Sequence, residues 1–281
     1  MRRTILSLLA VLIILAFSSC GNKEADMPDL SSMGKVALVS REEGSGTKSE
    51  FYTLLGISQG AAGKTALSTN EVIEAVSADK NAIGYVAYSA LSGFPSESIK
   101  VLKIEGILCD PVTIKNGRYA LERKYILAYS GALDEREEDF LSYVKTAGQA
   151  VVADVCVPLR DPARFLSNGK GGAIRISGSS SMETLLEALI EGYAGYNPDV
   201  EVTFEVTDST DGLNRAMRGQ ADFGASSRSL KDYEEELLEK VEIAGDGIAV
   251  IVNKDNPLAD ISLKRLKSLY NGEVEDWKDL K

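Results

Sequence analysis

The 281-residue sequence contains no histidine. That removes histidine-ligated zinc, Ser-His-Asp and Cys-His catalysis, and any histidine general base. Cysteine is scarce, and Cys20, Cys109 and Cys156 stand too far apart to form a CxxC metal or redox pair. Positive charge is in the minority: 31 Lys and Arg against 42 Asp and Glu give a net charge of −11. So acidic a surface disfavours nucleic acid as a partner, because phosphate backbones need basic patches. After the first twenty residues no apolar run approaches the roughly 18 residues of a membrane-spanning helix. What remains is 44% apolar residues, ample for a buried core in one two-lobed unit or two small domains.

Residues 1–20 read as an export signal. Arg2 and Arg3 give the basic start, and the apolar stretch from Ile5 to Phe17 is too short to span a bilayer. Ser18, Ser19 and Cys20 follow. This small-small-Cys ending resembles the lipobox of bacterial lipoproteins, in which the cysteine is lipidated and becomes the mature N-terminus; Phe17 stands where that motif usually has leucine. Residues 21–34 are polar, carry Pro28, and read as a flexible tether. The body is therefore expected to be extracytoplasmic and held at the cell membrane through lipid on Cys20. Cys109 and Cys156 then either pair in an oxidising compartment or remain two lone buried thiols.

From Lys35 on, short apolar runs alternate with helical patterns, which predicts an α/β fold. Strands are expected at 36–40, 82–88, 99–104, 174–177, 201–206, 221–225 and 248–253. The clearest helix is 182–193, where Met182, Leu185, Leu186, Leu189, Ile190 and Tyr193 recur on one face of a 3.6-residue period. Further helices are expected at 48–55, 70–77, 135–146, 212–218, 233–240 and 263–270. Residues 160–172, rich in Pro, Gly and polar side chains, read as an internal linker.

Three places share a grammar of strand, then Ser, Thr and Gly, then helix: Arg41–Thr47 (REEGSGT), Ile176–Met182 (ISGSSSM) and Thr207–Leu213 (TDSTDGL). A helix N-terminus exposes unpaired N–H groups and partial positive charge, hydroxyls add donors, and glycine lets backbone approach a ligand. Three such ends converging would surround a small oxyanion without a metal. Singly, each is equally an ordinary N-cap.

Whole segments sharpen this. VSREEGSGT (39–47), ISGSSSMETL (176–185), GQADFGASSRSL (219–230), AGDGIAVIVN (244–253) and LKSLYNGEVEDWKDL (266–280) resemble the phosphate-binding proteins that serve ABC importers. AIGYVA (82–87) and GQAVVADVCVPL (148–159) fit as well, so that the resemblance covers nearly all of 35–281. It implies a type II periplasmic-binding-protein-like fold, two α/β lobes with a ligand cleft between them. It also implies a changed order: in the family the ISGSSS-like segment opens the protein and the SREEGSGT-like segment follows the NWKDL-like one. The chain thus resembles a circular permutant in which 160–172 joins the usual ends. One lobe would be continuous, 107–246, and the other assembled from 35–106 and 247–281, with crossings near 99–109 and 243–251.

Carried over residue by residue, the resemblance implies an inorganic-phosphate site built from Arg41, Ser45, Gly46 and Thr47 on the discontinuous lobe. Ser180, the Ser181 backbone N–H and Ser209 come from the continuous lobe. Asp222 matches the carboxylate that would accept the proton of monohydrogen phosphate and repel sulfate. Asp208 and Asp211 stand where the family often has glycine, and Glu43 is a candidate support for Arg41. No cofactor or metal is implied. The expected partners are phosphate, the permease subunits of an ABC importer and the membrane, with the body a monomer and not an enzyme. Alternatives are a receptor or sensor for another oxyanion, and a permuted scaffold without ligand.

Overall fold

The computed structural model describes residues 27–93 and 97–280. The export signal, Cys20 and the tether up to residue 26 lie outside the described residues. In chain order the elements are β1 (Ala37–Arg41), α1 (Gly46–Leu55), β2 (Lys64–Ala66), α2 (Thr69–Ala78), β3 (Ala82–Ala87), β4 (Ile99–Val101) and β5 (Lys103–Ile104). Then come α3 (Pro111–Lys115), β6 (Glu122–Tyr129), α4 (Glu135–Lys145), α5 (Gly148–Val155), β7 (Gly172–Ser179) and α6 (Glu183–Ala194). The chain closes with β8 (Val200–Thr207), α7 (Ser209–Met217), β9 (Phe223–Ser226), α8 (Asp232–Glu235), β10 (Glu239–Asn253), β11 (Asp260–Ile261) and α9 (Leu263–Tyr270).

The strands form a mixed sheet in the order β2-β1-β3-β10-β6-β9-β7-β8, with β4 also on β10 and a separate β5–β11 pair. β10 organises it. Its first half, Glu239–Gly247, pairs antiparallel with β6, and its second half, from Ile248, pairs with β3. Every residue from Ile243 to Asn253 is buried, as a strand covered on both faces requires.

Two hydrophobic cores flank that crossing. The first stacks Phe51 on Tyr85 with Tyr270 edge-on, and adds Val72, Val250 and Trp277. The second gathers Phe140, Leu186, Tyr193 and Phe223. Apart from Val157, the first core draws on residues 30–121 and 248–280; apart from Ala87, the second draws on 125–244. A small third cluster packs Ile126 and Ala128 against Leu213 and Ala216 of α7.

The other crossing is not at 99–109. Ile99, Leu102, Ile104, Cys109, Ile114, Tyr119 and Leu121 all pack into the first core, so the chain leaves it only at β6. The apolar run 99–104 reads as one strand, but it breaks after β4 and turns to β11. The strand β6 opens on three consecutive charged residues, Glu122, Arg123 and Lys124, before its apolar run, which hides its period. The helix expected at 233–240 ends at Glu235, because the chain is already in β10 at Glu239. α5 is present where no helix was expected.

The segment 160–172 has neither helix nor strand before β7, yet it is tied down. Phe165 packs on Tyr143 and Tyr196, and Ser167 and the Asn168 N–H both donate to the buried carboxylate of Asp139. Cys109 and Cys156 are free thiols, one in each core, and burial pushes both thiol pKa values up.

Candidate anion-binding site

Strands β1, β7, β8 and β9 end at Arg41, Ser179, Thr207 and Ser226, and their C-terminal ends meet where β10 passes between the cores. Ligands of open α/β sheets sit beyond such strand ends, where helix N-termini gather. Here three do.

α1 starts after a turn in which Gly44 takes a left-handed φ of 93°, and Ser45 caps it by accepting the Lys48 N–H at 3.3 Å. No acid stands in the first turn of α1, so its positive dipole end is uncancelled. Across the cleft, Ser179 caps the turn Ser180–Met182 that leads into α6, and Asp208 caps α7.

The two sides touch through the residues singled out from the sequence. Arg41, 3% exposed, donates from Nη2 to Ser180 Oγ at 3.0 Å. Thr47 Oγ1 lies 2.6 Å from Ser181 Oγ. Gly46 sits so close to the opposite wall that a Cβ there would lie 2.1 Å from Ser209 Oγ and 2.5 Å from Ser227 Oγ. The Thr210 N–H reaches Gly44 O at 3.3 Å. The structure therefore brings Arg41, Ser45, Gly46, Thr47, Ser180, Ser181 and Ser209 together.

Asp222 stands apart. It precedes β9, at the end of the strand remote from Ser227, and its carboxylate is taken by Arg175. Oδ2 accepts the Arg175 N–H at 2.7 Å, and Oδ1 accepts from Nη2 at 2.9 Å. Burial alone would raise its pKa, but the hydrogen bonds and charge of Arg175 outweigh that and hold it below the usual carboxylate range. The sequence match failed because the residue facing the cleft in GQADFGASSRSL is not the acid but Ser227, five positions on.

The neighbouring acids are likewise committed elsewhere. Glu42, not Glu43, holds Arg41, accepting from Nε at 2.7 Å and from Nη2 at 2.8 Å. Glu43 is exposed and pairs with Lys48. Asp208 accepts the Asp211 N–H at 2.9 Å as a cap, and Asp211 pairs with Arg215 at 2.8 Å.

Sequence reasoning missed several buried groups. Ser227 Oγ lies 2.8 Å from Ser179 Oγ, and its N–H donates to Ser209 Oγ at 3.1 Å. Arg123, fully buried with Asp246, donates to Thr47 Oγ1 at 2.8 Å from beneath. The one local signal is Asp246 inside the otherwise uncharged run AGDGIAVIVN, which calls for a buried counter-charge; Arg123 itself stands between Glu122 and Lys124 and looks like a surface cation. Beyond Ser45 a cavity of about 180 Å³ opens between the walls, lined by Lys48, Thr210, Arg228 and Lys231.

Such a constellation is rich in N–H and O–H donors, holds the Arg41 guanidinium with a hydrogen-bonding end toward the opposite wall and the Arg123 guanidinium behind it, and its neighbouring carboxylates already accept hydrogen bonds from other groups among the described residues. It is chemically suited to a small oxyanion.

Comparison with known proteins bears on the same residues. The PBP superfamily domain matches residues 164–281. The phosphate-binding protein PstS 2 of Streptococcus agalactiae serotype V is 35% identical over 297 residues, spanning 99% of both chains. PstS 2 of Streptococcus pneumoniae serotype 4 is 32% identical, covering 94% of this chain and 93% of its own. The crystal structure of a phosphate ABC transporter phosphate-binding protein from S. pneumoniae TIGR4 superposes with a TM-score of 0.71 at 31% identity, covering 88% of this chain and 100% of that one.

Proposed function

Because the chain belongs to the PstS family of phosphate-binding proteins, we propose that it captures inorganic phosphate between its two lobes and presents it to the permease subunits of an ABC importer. The observation that carries this reading is the meeting of Arg41, Ser45, Gly46 and Thr47 with Ser180, Ser181 and Ser209 at three helix starts on opposite walls. Arg41 supplies charge, the hydroxyls and N–H groups supply directed donors, and closure excludes water, so that each bond is strong despite the acidic surface.

The partners of the hydroxyls support binding as the role proposed for them. Among the described residues, those of the cleft serines are other hydroxyls, backbone groups and a guanidinium, with no general base positioned to activate a nucleophile. In this reading the receptor is a monomeric body held by a polar tether and lipid on Cys20 at the outer side of the cell membrane, which the small-small-Cys ending of the export signal supports. The segment order fits a circular permutation: the join at 160–172 is anchored to α4 through Asp139, and the PstS 2 relative that aligns end to end shares the order.

One observation favours a wider oxyanion specificity. With Asp222 bound to Arg175, the proton of monohydrogen phosphate falls to a hydroxyl such as Ser227, which can accept as well as donate. A hydroxyl does not repel sulfate as a carboxylate would. Calorimetric titration of the purified protein near pH 7 with phosphate, then sulfate, tests both points. Tight one-to-one phosphate binding is expected, with sulfate competing measurably. A folded protein that takes up neither anion would remove the receptor reading.

A further inference from the structure

The strongest feature outside the residues already assigned lies under the cleft, where the two strands that connect the cores run side by side. Arg123 of β6 and Asp246 of β10 are directly opposite in register, and both side chains are wholly buried. The guanidinium is fully used. Nε donates to Asp246 Oδ2 at 2.9 Å, and Nη2 to Tyr125 Oη at 3.2 Å. Nη1 is the functional end: it donates to Thr47 Oγ1 at 2.8 Å and to Ser227 O at 3.1 Å. Tyr125 Oη in turn donates to Ser181 O at 2.7 Å. The other carboxylate oxygen of Asp246 accepts the Ser89 N–H at 3.1 Å.

Thr47 belongs to α1 and the first core's side; Ser227 and Ser181 belong to the second. One nitrogen therefore bridges the two walls from the crossing itself. We infer that Arg123 is a positioning residue that couples lobe closure to ligand retention, with Asp246 orienting it. The inference rests on the phosphate-receptor reading for its ligand.

Two consequences follow from hydrogen-bond chemistry. If the walls part, Thr47 withdraws and Nη1 loses a partner in a place water reaches poorly, which disfavours the open state. In the closed state Thr47 Oγ1 accepts from Arg123, which fills one of its lone pairs and leaves its own O–H able to donate to an anion in the cleft. A group that acts only on the closed state slows release and leaves capture unchanged.

The test is stopped-flow measurement of phosphate association and release by the full chain. It compares wild type with Arg123→Lys, which keeps the charge but not the fork, and with the neutral pair Arg123→Gln/Asp246→Asn. Release is expected to quicken about tenfold or more in both variants, with association within about twofold. Melting without ligand, measured in parallel, shows which variants fold. Unchanged release in a folded variant overturns the inference, as does a lowered melting temperature with both rates unaltered. Should wild type bind no phosphate, the receptor reading fails, and the latch is then judged by hydrogen exchange without ligand. Faster exchange at the start of α1 and in the Ser180–Met182 turn, with β8 unaffected, supports it; unaltered exchange there sinks it.

Discussion

At the residue scale, Arg41 and Asp222 show how burial and partners assign opposite roles to two charges in matching motifs. Arg41 is enclosed, its Nε side fixed by Glu42 and its Nη2 reaching Ser180. Removing such a buried, hydrogen-bonded charge costs about 2–5 kcal/mol of binding. Arg41→Ala is therefore expected to weaken phosphate by that amount in calorimetry; an unaltered affinity would take Arg41 out of the site. Asp222 pairs with an Arg175 that is itself largely exposed. Surface pairs of this kind are worth about 1 kcal/mol or less. Asp222→Asn should leave both the phosphate affinity and its ratio to sulfate within about twofold of wild type, with only slight loss of stability. A collapse of the ratio would return the carboxylate to the site.

At the scale of elements, the approach of α1 to α7 and β9 depends on Gly46 having no side chain. Its neighbours Ser209 and Ser227 are wholly buried and held by each other, so they cannot give way cheaply. Gly46→Ala should hold the walls apart, weakening phosphate about tenfold or more. Equal affinity in the alanine variant would mean that closure is looser than the packing indicates. A second element rests on charge: Arg228 and Glu234 pin α8 to the end of β9 through bonds of 2.7 and 2.8 Å, both side chains buried.

For the whole molecule, that pair and two others predict the acid response. Burial would raise Glu234, but the hydrogen bonds and charge of Arg228 hold it below the ordinary glutamate value, and Arg175 does the same for Asp222. Arg136 brings Asp134 down to about 2. Since these carboxylates bind protons less readily when folded, their stabilisation is complete above about pH 4, where unfolded acids titrate, and is lost as pH falls through the depressed values. Melting temperature should thus drop steeply between about pH 4 and 2. Glu234→Gln should start lower and fall less. A flat profile over that range in wild type would show that the pairs contribute nothing.

How much of this was legible in the sequence follows from range. Helices 48–55 and 263–270 were readable because caps and a 3.6-residue period are local: the first begins just two residues earlier than expected, and the second matches residue for residue. The three Ser/Thr/Gly helix starts were readable for the same reason, because capping chemistry is written within four or five residues; the seven residues proposed for the cleft came instead from the resemblance that the segments around those starts carry. Tertiary structure decided what depends on partners far along the chain. Whether Asp222 faces the cleft or Arg175 is set by how β9 lies beside β7. Whether the run 99–104 crosses between cores is set by its pairing with β10 and β11. Arg123, between Glu122 and Lys124 in the chain, is revealed as a buried charge only by its place opposite Asp246, where the counter-charge across the ladder makes burial tolerable.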